Sequence, residues 1–545
     1  AFRTLRQFGG IGGFPHPEES AYDTFIAGHA SNSISAALGM STAFEIAGEG
    51  GRHVVAVIGD GAMTGGLAFE GINNASIDPN NLLIVLNDND MSIDRNVGGM
   101  NRYLVDITTS QTYNHIRYEV YQKLLKLNLI SEDRRENILR FNNSLKALIN
   151  RQHNLFEGFS IRYFGPIDGH DVGDLVKKLG DIKEMKGPKL LHIKTKKGKG
   201  YKPAEQSATV WHAPGRFNKD TGQRLLPERT NEPQLYQDVF GHTLVELAEK
   251  DQRITGVTPA MPTGCSMTYM MKAFPDRAFD VGIAEEHAVA MASGLARGGA
   301  RPVFGTYSTF FQRTYDQMAQ DVAVNHNPAV FLSVGASMYY MNDVTHLGFF
   351  DIPLFANIPN LVFLAPASLD EYAAVLRWSV EQTAHPVMIR MPVMGYEESP
   401  YAVRTDYSAL NKYQIVTEGS GVALIGAGNF AQLASAAAAE LEKEGIKATV
   451  INPIFLSGLD TALLDALKEK HSLILTLEDG ILDGGFGQKI AAYYSMDKNI
   501  RVRCYGLSKE FYDRYRSKEL ARAHHLTAEQ IAADTLTTFK RPRTY

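Results

Sequence analysis

Short apolar runs alternate along the chain with amphipathic helical stretches, the pattern of parallel strands that are each followed by a covering helix. The runs predict strands at Val54–Ile58, Leu82–Leu86 and Leu190–Lys194, then at Val303–Tyr307, Ala329–Val334 and Leu361–Leu364. Three more follow at Val422–Ile425, Ala448–Ile451 and Leu473–Leu477. The predicted class is α/β, with three domains that are each a mainly parallel sheet covered by helices.

Two stretches break this rhythm. One is "DTGQRLLPERTNEPQL" at 220–235; the other is Met391 to Tyr413, rich in Pro, Gly, Tyr and Glu. Read as linkers, they divide the chain into 1–235, 236–400 and 401–545, which suits a chain of 545 residues, too long for one core. Residues 112–155 are polar and helical in pattern, and read as a helical excursion or mobile cover within the first domain. A weak echo links "GHASNSISAALGM" (28–40) with "EEHAVAMASGLA" (285–296), each a His followed by a small-residue helix. Two related α/β halves or a coincidence of Ala-rich helices would both produce it.

Composition narrows the function classes. Hydrophobic content of 44% and charged content of 21% are those of a globular protein, and the net charge of -5 argues against nucleic acid. Small anionic ligands stay open. Two cysteines without a CxxC spacing form neither a disulfide framework nor a zinc knuckle, which points to a reducing compartment. No apolar run reaches the roughly 20 residues that span a bilayer. The start Ala1-Phe2-Arg3 is no signal peptide, and the missing Met suggests a processed or trimmed product.

The chemistry starts at "HVVAVIGDGAMTGG" (53–66), where Asp60 stands between two glycines at the carboxyl end of a strand, the place at which open α/β sheets bind ligands. After a helix and the strand "LLIVL" comes "NDNDMSI", with Asn89 at a second strand end. An Asp carboxylate, an Asn carbonyl oxygen and a backbone carbonyl are hard oxygen donors suited to Mg²⁺, and Gly59 and Gly61 let backbone amides meet a phosphate. GDG alone reads equally as a tight turn with Asp as N-cap; the pairing with NDN is the signature of thiamine diphosphate enzymes. "AFDVGIAEEHAVAMASGLA" then offers Glu285 after the strand-like Phe279–Ile283. On its own it is a helix-start charge; beside a metal motif it is a proton relay.

These motifs, with "GPIDGHD", "KTKKGKGYKPAE", "TPAM", "YSTFFQRTYDQ" and "THLG", give the chain a resemblance over nearly its whole length to the 1-deoxy-D-xylulose-5-phosphate synthase family of transketolase-type thiamine diphosphate enzymes. The resemblance implies a cytoplasmic homodimer of isoprenoid and thiamine biosynthesis, which decarboxylates pyruvate and transfers the two-carbon unit to an aldehyde. By the same resemblance Asp60, Asn89 and the Met91 carbonyl hold Mg²⁺. Gly28, His29, Ala30, Gly61 and Ala62 cradle the diphosphate, and Lys197 and Tyr201 lie in the cofactor-contact segment. Glu285 faces the aminopyrimidine and Phe310 stacks on it. Tyr307, Arg313 and His346 line the substrate pocket, with His346 and His29 as imidazole donors and weaker claims for His212 and His287.

The chain departs from the family in several places. Where two arginines grip the acceptor's phosphate it has Gly335 and Val393; losing such contacts costs roughly 1.5–3 kcal/mol each. Arg390 or Arg313 would have to substitute, or the acceptor lacks a phosphate. "SMYYMNDVTHLG" supplies Tyr339, Tyr340 and Met341 as a more aromatic wall, and Glu286 replaces the usual Gln. Family members carry a preceding segment with histidines that reach the cofactor; this chain begins after it. The neighbouring readings are transketolase-like ketol transfer and a non-catalytic cofactor-binding subunit. "GAGNFA" (426–431) mimics a dinucleotide fingerprint, but no acid ends the next strand, "ATVINP".

Overall fold

The computed structural model describes residues 2–77, 80–92, 94–109, 155–225, 236–394 and 398–539. The excursion read at 112–155 lies, but for its last residue, outside the described residues.

Three sheets follow one another along the chain. The first comprises β1 (Val55–Gly59), β2 (Leu83–Asp88), β3 (Arg162–Asp168) and β4 (Lys189–Lys194), in the order β1-β2-β4-β3. All its pairings are parallel. The second comprises β5 (Ile254–Thr258), β6 (Ala278–Asp280), β7 (Arg301–Tyr307), β8 (Val330–Val334), β9 (Val362–Leu364) and β10 (Val387–Arg390), ordered β6-β5-β7-β8-β10-β9 and again wholly parallel. The third comprises β11 (Gln414–Thr417), β12 (Gly421–Gly426), β13 (Thr449–Asn452), β14 (His471–Ile481) and β15 (Arg501–Leu507), ordered β11-β13-β12-β14-β15. Only β11 runs antiparallel to its neighbour.

The central strands are unbroken apolar runs because both faces are covered: every residue of β5, β8, β9 and β10 is buried. Edge strand β1 differs. Ala56 and Ile58 are buried while Val55 and Val57 are exposed on the other face.

The chain forms two compact units. One gathers His29–Glu228 with Gly282–Ala284; the other gathers Ala1–Gly28, Arg229–Val281 and Glu285–Tyr545. The second and third sheets fall in one unit because a single apolar core, running from Val257 and Phe304 through Phe363 to Ile451 and Phe486, packs against both. No helix among the described residues is long and apolar enough to cross a membrane.

Candidate functional site

In the unit built on the first sheet, β1 pairs with β2 so that Gly59 lies opposite Asn87, and the residues that follow emerge at neighbouring strand tips. Asp60 is buried, and its backbone N–H donates to the Asn87 carbonyl (3.3 Å). One carboxylate oxygen accepts from Asn89 N (3.4 Å) and the other from Asn96 Nδ2 (2.7 Å). Asn89 Oδ1 in turn accepts from Met91 N (3.1 Å). Burial and then the charge of Asp88 push the Asp60 carboxyl above its ordinary range, against the pull of Asn96. Asp60, Asn89 and Met91 thus share one loop cluster, although no three His, Cys, Asp or Glu gather as a metal group among the described residues.

The surrounding backbone is closely packed. A Cβ on Gly61 would lie 2.7 Å from Asn96 Oδ1, so a side chain there would displace the asparagine amide. Ser31 Oγ donates to the Ala62 carbonyl (2.6 Å), tying the segment just after His29 and Ala30 to the GDG turn. Lys197 donates to the Ser92 carbonyl and to His212 Nδ1 (3.0 Å), which brings its ammonium to the loop that follows Asn89. Burial holds the Lys197 ammonium below its usual pKa, against the charges of Asp94 and Asp60. Tyr201 turns elsewhere: its hydroxyl donates to the Lys219 carbonyl (3.1 Å) and its ring packs on Trp211 and Phe217.

Under this loop lies a buried network that sequence reasoning missed. Asp88 accepts from Lys194 Nζ (2.9 Å) and pairs with His192 Nε2 (2.9 Å), whose Nδ1 meets the Tyr163 hydroxyl at 2.7 Å. Burial raises the Asp88 carboxyl, but the bonds from His192 and Lys194 outweigh it and the net shift is downward. The first Asp of "NDND" was a signal for this; Asn96 and Ser31 carried none.

In the other unit Glu285 opens the helix Glu285–Arg297 at the end of the segment that follows β6. Burial pushes its carboxyl up to about 7, with the Arg313 charge opposing. Arg313 Nη1 lies 3.2 Å from Glu285 Oε2, and Arg313 Nε donates to Glu286 Oε1 (3.3 Å). Glu286 therefore provides Arg313 with a second carboxylate. Tyr307 stacks on Phe310 at 6.0 Å and meets Tyr340 edge-on at 5.7 Å; Phe310 meets His346 edge-on at 5.6 Å. Phe14, another residue missed, stacks on the His346 ring at 5.1 Å and carries the Arg6 guanidinium over its own face at 5.1 Å. Burial lowers the His346 pKa, Asp343 opposing and Arg6 adding to it. Gly28 belongs to this unit, packed on Thr345: a Cβ there would lie 2.2 Å from the threonine side chain.

Gly335 and Val393 are both closely packed. Gly335 has φ +73°, and a Cβ on it would lie 2.3 Å from the Tyr340 ring. Val393 donates its backbone N–H to Asn429 Oδ1 (3.0 Å), and Asn429 Nδ2 donates to Asp479. Thus the "GAGNFA" turn is occupied by internal bonds. Neither substitute arginine is available: Arg390 is buried against Asp351 (2.8 Å) and the Asp479 carbonyl (2.7 Å), and Arg313 is held by Glu285 and Glu286.

Of the residues read from sequence, Asp60, Gly61, Ala62, Asn89, Met91 and Lys197 gather in one unit. Glu285, Tyr307, Phe310, Arg313 and His346 lie in the other, all on segments at the carboxyl ends of second-sheet strands.

Comparison with known proteins adds the following. Residues 1–195 match the family described as 1-deoxy-D-xylulose-5-phosphate synthase, residues 232–398 the transketolase pyrimidine binding domain, and residues 411–531 the transketolase C-terminal domain. A protein of Parabacteroides distasonis named 1-deoxy-D-xylulose-5-phosphate synthase is 53% identical over 532 residues, 97% of this chain and 84% of that protein. One of the same name from Porphyromonas gingivalis is 50% identical over 516 residues, 94% of this chain and 80% of that protein. A solved structure described as a split gene transketolase, inactive beta4 tetramer, matches with a TM-score of 0.51 at 24% identity, covering 57% of this chain and 100% of that one; it bears on the fold alone.

Proposed function

The chain belongs to the 1-deoxy-D-xylulose-5-phosphate synthase family of thiamine diphosphate-dependent transferases, and from that premise we propose how its own residues divide the work. Residues 1–235 take the diphosphate and metal, 236–400 the aminopyrimidine, and 401–545 form the C-terminal transketolase-like domain. The donor set fits magnesium: the Asp60 carboxylate, the Asn89 amide oxygen and the Met91 carbonyl are hard oxygens on one loop cluster. Gly28, His29, Ala30, Gly61 and Ala62 cradle the diphosphate. Lys197 adds a cation, and Tyr201 supports that segment. When bound, thiamine diphosphate supplies the electron sink that lets pyruvate lose carbon dioxide.

The observation that carries this reading is Glu285. A carboxyl buried until its pKa stands at about 7 is half protonated near neutrality, so it can give or take a proton at a ring nitrogen without a large energetic penalty. Arg313 stabilises its anionic form. Phe310 and Tyr307 form an aromatic floor that excludes water and accepts a stacked ring. His346, held neutral by burial, serves the oxygen that becomes an alkoxide, and His29 is the second imidazole.

The acceptor departs from family habit. Without arginines at 335 and 393, and with Arg313 and Arg390 committed to carboxylates, phosphate is gripped weakly and an unphosphorylated aldehyde is accepted. Pyruvate turnover with glyceraldehyde and with glyceraldehyde 3-phosphate tests this. We expect kcat/KM values within about tenfold of each other, since two lost charge-assisted contacts amount to several kcal/mol. A thousandfold preference for the phosphorylated aldehyde overturns the acceptor reading; no turnover of pyruvate with either overturns the function. On family grounds the reading extends to a cytoplasmic homodimer, whose mass by light scattering would be twice the 60.1 kDa of the chain.

A further inference from the structure

His346 is built into a hydrogen-bonded chain. Asp343 caps the short 3-10 turn Val344–His346, its side chain accepting from Thr345 N at 3.1 Å. The Thr345 hydroxyl oxygen lies 2.7 Å from Asp343 Oδ1 and 2.8 Å from His346 Nδ1. A carboxylate only accepts, so the threonine proton points at Asp343. The lone pair of that hydroxyl is what faces the ring, and the imidazole nitrogen opposite it must carry a hydrogen. The donors therefore run from His346 Nδ1–H to Thr345 Oγ1–H to Asp343 Oδ1, an assignment made from the bonding network. It leaves the neutral ring with its lone pair on Nε2.

We propose that Thr345 and Asp343 are positioning residues of the reaction, locking His346 in the tautomer whose Nε2 exchanges a proton with substrate oxygen. The inference rests on the reading of His346 given above. In its acidic phase Nε2 carries a proton taken from water and passes it to the alkoxide oxygen formed when the aldehyde carbon is attacked; the N–H bond breaks, the O–H bond forms, and the ring returns to neutral. Thr345 keeps the other nitrogen protonated throughout, so the ring cannot present the wrong face of its charge.

Three further contacts show that the arrangement is built. A side chain at Gly28 would collide with Thr345 at 2.2 Å, so a bare backbone is what admits the hydroxyl. The imidazole is clamped between the Phe14 face (5.1 Å, 19°) and the Phe310 edge (5.6 Å, 79°). Val344 N donates to Asp513 Oδ1 (3.2 Å), which pins the turn from the segment before helix Ser517–Ala523. Among the charges that act on the ring are Asp343 on its own turn and Arg6 from the N-terminal segment, while Asp513 holds the turn through Val344 N.

The test uses Thr345→Val, which keeps shape and removes the hydroxyl, Thr345→Ser, which restores it, and Asp343→Asn, which keeps an acceptor and removes the charge. Carbon-13 NMR of the apo chain with labelled histidine reads the tautomer, the His346 signal being identified by its loss in His346→Asn. We expect Thr345→Val to give mixed tautomers and a kcat lower by at least about tenfold, with acceptor KM changed less than threefold. Thr345→Ser should recover at least half of the lost rate. In Asp343→Asn the His346 titration midpoint, and the limb of the pH–rate profile that follows it, should fall by about half to one pH unit. An unchanged tautomer and rate in Thr345→Val, or no recovery in Thr345→Ser, overturns the proposal. Should the valine variant fail to fold, an unmoved midpoint in Asp343→Asn overturns it. A folded His346→Asn protein with less than tenfold loss removes the reading of His346 itself, an outcome distinct from failure of the relay alone.

Discussion

Arg313 and Glu285 form a buried ion pair that is not a hydrogen bond: Nη1 lies 3.2 Å from Oε2, yet that oxygen has no hydrogen-bond partner. The carboxyl is left poised at about 7, with one lone pair uncommitted and a cation close enough to steady its anion. Replacing Arg313 by Met removes the opposing charge, so the pH–rate limb set by Glu285 is expected to move to higher pH by about one unit. A profile recorded between pH 6 and 9 checks this, and an unmoved limb would detach Glu285 from the titration.

Asn96 holds Asp60 by a 2.7 Å bond that no motif announced. Orienting partners of metal-ligating carboxylates are typically worth about tenfold or more in affinity. Asn96→Ala should therefore weaken Mg²⁺ binding, followed by calorimetry with thiamine diphosphate present, by about tenfold while the protein stays folded. Unchanged affinity would mean that Asp60 is oriented by the Asn89 amide alone.

Gly335 has φ +73° beneath the Tyr340 ring. Any side chain there is strained in backbone and in space, so Gly335→Arg is expected to cost about 1–3 kcal/mol and to add less than threefold to kcat/KM for a phosphorylated aldehyde. A large gain would show that Tyr340 yields readily and that the pocket still accommodates phosphate.

Glu478, on β14, is fully buried, and its carboxylate accepts from Phe486 N and Gly487 N at 2.8 Å each at the start of helix Phe486–Tyr493. Burial nonetheless pushes its carboxyl up to about 7. A carboxyl raised on folding favours the native state fully below the unfolded pKa of about 4.5, and this contribution is lost as pH rises through 7. The loss is on the order of 3 kcal/mol. In Glu478→Gln the dependence vanishes, so the stability of the parent relative to the variant should fall by that order between pH 5 and pH 8. Urea unfolding of both proteins at the two pH values reads the difference; parallel behaviour would contradict the assignment.

Much of this was legible in the residue pattern, and the exceptions have physical causes. Uniformly apolar strands such as β8 and β12 lie within a residue or two of their predicted bounds, because burial on both faces leaves no polar positions to confuse the period. Strands β3, β5, β10, β11 and β15 escaped notice: in β3 and β15 partly exposed edges admit Arg and Asp among the apolar residues, and β5, β10 and β11 are runs of only four or five residues. The run Phe279–Ile283 is a strand only to Asp280, since Gly282 at φ +76° turns the chain before Glu285. Asp60, Asn89 and Glu285 stood out as candidates because charged or amide groups just beyond strands lack a packing role. Asn96, Ser31, Phe14 and Thr345 could not, since each acts through a loop conformation that spacing alone does not encode.

The most direct test is release of labelled carbon dioxide from 1-labelled pyruvate, with thiamine diphosphate, Mg²⁺ and an aldehyde present, by the parent and by Glu285→Gln. Steady release by the parent and a loss of at least about a hundredfold in the variant, with cofactor still bound, are expected. Undiminished release by the cofactor-loaded variant, or none by the parent, would contradict this expectation.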